Sequence, residues 1–299
     1  MPKFIELPRT IAGVALTVVT HLQPHLDEIG ALWLVEHFAN AEWLHVHCPN
    51  FRLELGVLGG EFDEHPNGAS KPAERLCCME LVARSLGVDQ RQELAQLLKT
   101  VHLADVEGKA QPTDLYNLVK LLNREYPDDP ERVIAWTFLA LAVKYSEQLD
   151  FVLSLEAVET ARRILVGPAD NTIRVMVFES DRGAVMKASQ YYDQRKQPDV
   201  VVQRKTDGHT MIWTRAASKI DLSHVAAQLR QAEASERGIW PPLHPTAEGM
   251  AEPDNTWYYS TRGEMVLNGS NTAEVEPTRL TLDQVLDCLR RGLEQFLAE

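Results

Sequence analysis

The stretch Thr20-His21-Leu22-Gln23-Pro24-His25-Leu26-Asp27-Glu28 decides how the rest of the chain is read. Before it, residues 12–20 are rich in Val and Thr, the composition of a strand. After it, residues 28–38 set Ile29, Leu32, Trp33, Val35 and Phe38 at helical spacing. A strand that stops at a polar turn and restarts as a helix is the building unit of a parallel sheet flanked by helices. Ligands of such sheets bind in the crevice beyond the carboxyl ends of the strands. The turn brings His21, His25 and Asp27 within seven residues of chain. Imidazole and carboxylate together suit Mn²⁺, Zn²⁺ or Fe²⁺. The helix N-terminus that follows favours an anion, such as a phosphate, beside the metal. The same residues also fit a plain helix start, with Asp27 as the cap and two exposed histidines.

Working outward, residues 43–48 read as a short second strand. Residues 54–62, with Gly56, Gly59 and Gly60, read as an irregular strand or loop. Residues 71–166 are almost wholly helical in pattern, interrupted by turn signals at 108–113 and 127–130. A break at Gly167-Pro168-Ala169-Asp170-Asn171 predicts a domain boundary. Beyond it the pattern runs strand (172–178), helix (183–192), strand (200–203), turn at Asp207-Gly208 and strand (210–214). A helix through Leu222 and Leu229, short strands near Trp257 and Met265, and an amphipathic helix from Leu282 follow. The expected architecture is α/β: an N-terminal parallel-sheet domain with a helical block (1–167) and a smaller C-terminal α/β domain (172–299).

Composition narrows the partners. Of 299 residues, 43 are Asp or Glu and 30 are Lys or Arg, a formal charge of −13. Long duplex nucleic acid is disfavoured, because binding it draws on a basic surface that releases counterions. A small phosphorylated ligand stays open, because a bound metal brings positive charge locally. No apolar run approaches the roughly 20 residues that cross a bilayer, so no membrane partner is expected. Residues 1–20 read as a strand and not as a signal peptide. The four cysteines show no CxxC spacing, so reduced thiols and a cytoplasmic location are expected.

Two further loops carry similar chemistry. Gly59-Gly60-Glu61-Phe62-Asp63-Glu64-His65-Pro66 packs acids and an imidazole after strand-like sequence. His102-Leu103-Ala104-Asp105-Val106-Glu107-Gly108 does so at a helix C-terminus, where the dipole disfavours a carboxylate unless something cationic offsets it. Each has a plain reading as a solvated turn or an exposed helix end.

At this point the sequence resembles the DHH phosphoesterase superfamily. Its members open with a strand ending in His, followed by acids four and six positions on. His21, His25 and Asp27 reproduce that spacing with His at the first acidic position, a form similar to the melanocyte-proliferating-gene (MYG) branch. Asp63-Glu64-His65 resembles the signature Asp-His-His, and Asp105 in LADVEG resembles the later single Asp ligand. The second half resembles the DHH-associated C-terminal domain, in residues 204–213, in KIDLSHVAAQLRQAE and in MVLNGSNT. Three departures stand out. Glu64 replaces an imidazole, no Asp follows the second strand where the family keeps a metal-bridging one, and Asn268-Gly269-Ser270 replaces a Gly-rich run ending in His.

The resemblance implies metal-assisted hydrolysis of a phosphoester in a small nucleotide or short oligonucleotide. His21, His25, Asp27, Asp63, Glu64 and Asp105 would hold the metal, Mn²⁺ first, with Mg²⁺ or Zn²⁺ as alternatives. Asp27 and His65 would be catalytic, His65 by contacting phosphate or protonating the leaving oxygen. Arg204, Lys205, Arg262, Asn268, Gly269 and Ser270 would bind substrate, and a homodimer is a further partner option. Taken singly, those basic residues also read as surface charge on edge strands. Two rivals fit part of the pattern. Pro24-His25-Leu26-Asp27-Glu28 is similar to the start of PIG-L-type zinc deacetylases, although the adjacent acid pair of that family is missing. A catalytically degenerate nucleotide- or metal-binding protein of the DHH fold is the other.

Overall fold

The computed structural model describes residues 4–64, 75–191, 197–262, 264–269 and 275–299. Strands β1 (Phe4–Ile11) and β2 (Val14–His21) form an antiparallel hairpin. Ala12 and Gly13 join them, both at positive φ (48° and 78°), the backbone whose twist matches that of paired strands. A short strand, β3 (Arg52–Glu54), runs parallel to β2 on its other side. The N-terminal sheet is therefore three-stranded and mixed, which corrects the expected parallel sheet: the residues ahead of the hairpin turn back onto β2.

Helix α1 (Leu26–Phe38) starts directly after β2 and is buried at every position from Leu26 to Val35. A helix that is apolar all round belongs inside a core, and the first core is assembled about it. Helix α2 (Ala41–His47) occupies the span expected as a second strand. Asn40 explains the difference, because its Oδ1 accepts from the Trp43 N–H at 2.8 Å and caps a helix. Helices α3 (Cys78–Ser85), α4 (Gln92–Asp105), α5 (Leu115–Glu125) and α6 (Pro130–Thr160) make up the helical block. A Cβ on Gly30 would meet Met79 Sδ at 2.6 Å, so the bare backbone there lets α3 lie close against α1.

The chain forms two compact units, Met1–Leu149 and Asp150–Glu299, of nearly equal length. The division falls within α6, not at 167–171 as the sequence pattern suggested. Residues 167–171 are the turn between β4 (Arg162–Val166) and β5 (Ile173–Glu179), which pair antiparallel in one sheet. A Gly-Pro turn signal serves a hairpin as well as a linker.

In the second unit seven strands follow the order β4-β5-β6-β7-β10-β9-β8, with β6 (Val200–Arg204), β7 (Thr210–Thr214), β8 (Gly249–Ala251), β9 (Asp254–Ser260) and β10 (Met265–Leu267). Its parallel pair is β5 and β6, connected through α7 (Val185–Tyr191). Helices α8 (Ser223–Arg237) and α9 (Leu282–Ala298) cross closely, for a Cβ on Gly292 would stand 2.6 Å from the Val225 backbone. Arg230 is fully buried and donates to the carbonyls of Trp257, Pro245, Ala247 and Gly249, which ties α8 to the loop leading into β8. Among the described residues no helix is long and apolar enough to cross a membrane.

Candidate metal centre

The site belongs entirely to the first unit. It begins at the end of β2, where the chain passes through His21 to Pro24 and enters α1. Asn123 of α5 holds that loop, its buried Nδ2 donating to the Pro24 carbonyl at 2.8 Å. Glu28, 2% exposed, pins the start of the helix. Its carboxylate accepts from Thr20 Oγ1 at 3.1 Å and from the His25 N–H at 3.0 Å, and it pairs with His21 Nδ1. The His25 contact is one half of a capping box. A Cβ at Gly56, where φ is +65°, would come within 2.6 Å of Glu28 Oε1, so the loop after β3 closes over this carboxylate only because Gly56 has no side chain. Glu28 is thus an anchor that orients the His21 ring and leaves its Nε2 available.

Asp27 is different. It is 1% exposed, and neither carboxylate oxygen has a hydrogen-bond partner in another residue. Burial, then the charges of Glu28, Asp105 and Glu64, push its pKa well above the ordinary carboxylate range. Two sets of donors meet around it. One oxygen or nitrogen each of His25, Asp27 and Asp105 lie within 4.8 Å of one another, and so do single ligand atoms of Asp27, Glu64 and Cys78. Both spans fit atoms sharing one ion at metal–ligand distances of about 2.0–2.3 Å. Asp105 is the last residue of α4, at the negative end of the helix dipole. Three carboxylates collected around a buried point repel one another, and a divalent cation is the group that reverses the sign of that interaction.

Four of the six expected ligands, His25, Asp27, Glu64 and Asp105, fall into these sets. His21 and Asp63 fall in neither. His21 is held by Glu28, and the hydrogen bond to Glu28, then the charges of Glu28, Glu64 and Asp63, draw its pKa upward against the effect of burial. Asp63 Oδ2 accepts from the Gly59 N–H at 2.8 Å, closing the loop that carries Glu64. His65 lies outside the described residues. Glu54 and Glu61, the nearest acids to the missing bridging position, are occupied with Arg52 at 3.1 Å and His47 at 2.9 Å. His102 is a strut: its Nδ1 sits 2.9 Å from Glu80 Oε2, joining α4 to α3.

Sequence reasoning missed two participants. Glu28 stands three residues after the helix cap His25, the usual place for the acid of a capping box, and that spacing was a usable signal. Cys78 had none, since it reaches the site through the packing of α3 against α1, two helices far apart in sequence that lie close at Gly30 and Met79. Its buried thiol is held protonated by desolvation and then by the neighbouring Asp27, Glu64 and Glu28.

The expected substrate residues lie in the second unit. Arg204 Nη1 donates to Thr210 Oγ1 at 2.9 Å and to the Leu280 carbonyl at 3.0 Å. Lys205 opens a turn whose backbone closes from Lys205 N to His209 O at 2.9 Å. Arg262 is exposed in the turn after β9. Asn268 is wholly buried, with Nδ2 on the Thr256 and Glu276 carbonyls (3.1 and 3.0 Å) and Oδ1 accepting from Thr278 N at 2.8 Å. That corrects its expected role: every polar atom of the amide ties the chain to itself. Gly269, at φ +82°, lies against the His209 ring. Ser270 lies outside the described residues.

Comparison with known proteins finds no family model, no curated protein and no solved structure that matches the chain.

Proposed function

We propose that the first unit carries a divalent-metal hydrolase centre of the DHH phosphoesterase type, acting on phosphoesters of small nucleotides or short oligonucleotides. The observation that carries this reading is Asp27, a buried carboxylate with no hydrogen-bond partner in another residue, set among Asp105, Glu64, His25 and Cys78. Leaving buried polar atoms unsatisfied costs about 1–3 kcal/mol each, and more for a charge. A fold keeps such an expense where a ligand relieves it. The donor set His25–Asp27–Asp105 is nitrogen and oxygen only, which suits Mn²⁺, Zn²⁺ or Fe²⁺.

When bound, a divalent cation there supplies Lewis acidity to a phosphoryl oxygen and lowers the pKa of a water. The chain's own residues provide the rest. Glu28 fixes the His21 ring through Nδ1 and presents Nε2 at the half-exposed mouth, where side-chain exposure is 38%. There Nε2 would contact a phosphate oxygen of the substrate. Apolar packing of α1 keeps the donors in register and excludes bulk water from the Asp27 side.

One observation favours a second reading, a metal- or nucleotide-binding protein without turnover. Arg204 and Asn268 are taken up by contacts within their own unit, which thins the expected grip on phosphate. Hydrolysis of bis-p-nitrophenyl phosphate and of mono-, di- and short oligonucleotides with added Mn²⁺ separates the two. Turnover that is lost in Asp27→Ala supports the hydrolase. Binding of a nucleotide with no turnover of any of these substrates selects the binding protein instead.

A further inference from the structure

Cys77 and Cys78 are neighbours in sequence and do different things. Cys77 caps α3, its N–H donating to Glu80 Oε2 at 3.0 Å. Cys78 is fully buried, and its Sγ lies within 4.8 Å of a carboxylate oxygen of Asp27 and one of Glu64, which are equally close to each other. A core cysteine normally behaves as a small hydrophobe among apolar side chains. Facing two carboxylates, a neutral thiol has only a weak S–H to offer. Asp27, 1% exposed, does not take even that, since both its oxygens lack a partner in another residue. One soft and two hard donors therefore converge at a buried point, around an Asp27 carboxylate that hydrogen bonding to other residues does not account for.

We infer that Cys78, Asp27 and Glu64 form a second cation position beside the His25–Asp27–Asp105 set, with Asp27 shared, and that its thiolate selects Zn²⁺ or Co²⁺ over Mn²⁺ and Mg²⁺. The inference rests on the metal-centre reading above and extends it. Thiolate ligands favour borderline and soft ions, whereas carboxylate sets alone favour harder ones. As the sulfur–metal bond forms, the S–H bond breaks and its proton passes to buffer; nothing is oxidised or reduced. Three protein donors leave a fourth position of a tetrahedral ion open, the pattern of zinc sites that do chemistry. With Asp27 common to both sets, a pair of ions needs no further bridging Asp.

The test is spectroscopic and uses the metal-free full-length chain titrated with Co²⁺. Wild type is expected to develop visible ligand-field bands together with a near-ultraviolet sulfur-to-cobalt charge-transfer band. Cys78→Ser keeps ligand-field absorption from the histidine and carboxylate set and loses the charge-transfer band. Its Zn²⁺ affinity falls at least about tenfold, with a smaller change for Mn²⁺. If Cys78→Ser does not fold, Cys77→Ser decides: a charge-transfer band that survives there supports Cys78, and one that disappears overturns it. Ligand-field bands without charge transfer in wild type overturn the inference while leaving the metal centre standing. Wild type that binds no Co²⁺ at all overturns both.

Discussion

Replacing Asp27 with Asn keeps the shape of the side chain and removes its charge, so it isolates what that charge does. Burial raises the folded pKa of Asp27 above its ordinary 3.8, with Glu28, Asp105 and Glu64 adding to the effect. The sign follows from linkage. A raised folded pKa gives a contribution that is complete below the unfolded value and is lost as pH climbs toward the folded one. Within that window metal-free wild type loses up to about 1.4 kcal/mol per pH unit through this residue, and Asp27→Asn loses none of it. Urea denaturation of chelator-treated protein from about pH 5 to pH 7 measures both, and the difference between the two curves isolates Asp27. The variant should gain on wild type as pH rises. A divalent ion at about 100 times its Kd should then stabilise wild type by about 2.7 kcal/mol and the variant by far less. A difference curve flat over this range would refute the argument that a buried, unrelieved carboxylate sits at residue 27.

Three other changes test the scaffold, two around Asp27 and one in the second unit. Gly30→Ala puts a Cβ 2.6 Å from Met79 Sδ; overpacking of this kind costs about 1–3 kcal/mol. Separating α1 from α3 should also weaken Zn²⁺ binding, measured by competition with a chromogenic chelator. Asn123→Ala removes the donor to the Pro24 carbonyl and should cost about 1–3 kcal/mol in thermal denaturation; unchanged stability would mean the loop is held by other contacts. Arg230→Met strands the carbonyls of Pro245, Ala247, Gly249 and Trp257, so a loss of about 3 kcal/mol or more is expected. It should leave metal binding untouched, because those residues belong to the other unit.

Much of the fold was legible because its signals are local. The helical block, its turns near 108 and 127, and strands β5, β6 and β7 follow from periodicity and from Gly and Pro punctuation. The misses have physical causes. The β1–β2 hairpin turns on Ala12-Gly13 in place of the usual Asn-Gly or Asp-Gly, which hid it. Residues 43–48 alternate like a strand, and only the Asn40 cap marks them as a helix. Gly167-Pro168 looked like a linker and is a hairpin turn.

In the site, the short-range part was readable. His25 and Asp27 are two residues apart, Asp105 ends α4, and Glu64 stands in the acidic loop that follows β3. Cys78 joins through packing between α1 and α3, which no local pattern encodes. Asn268 looked like a substrate-loop residue and is instead consumed by backbone contacts. A side chain's availability depends on its neighbours in space, and these are distant in sequence.

The central claim is that Asp27 is the hub of a cation site. Equilibrium dialysis of the metal-free chain against Mn²⁺ and Zn²⁺, read as ions bound per chain for wild type and Asp27→Ala, tests it most directly. The account predicts at least one tightly held ion per wild-type chain and its loss in the variant, with the variant still folded by circular dichroism. Equal binding by the two proteins, or no binding by wild type, would contradict it.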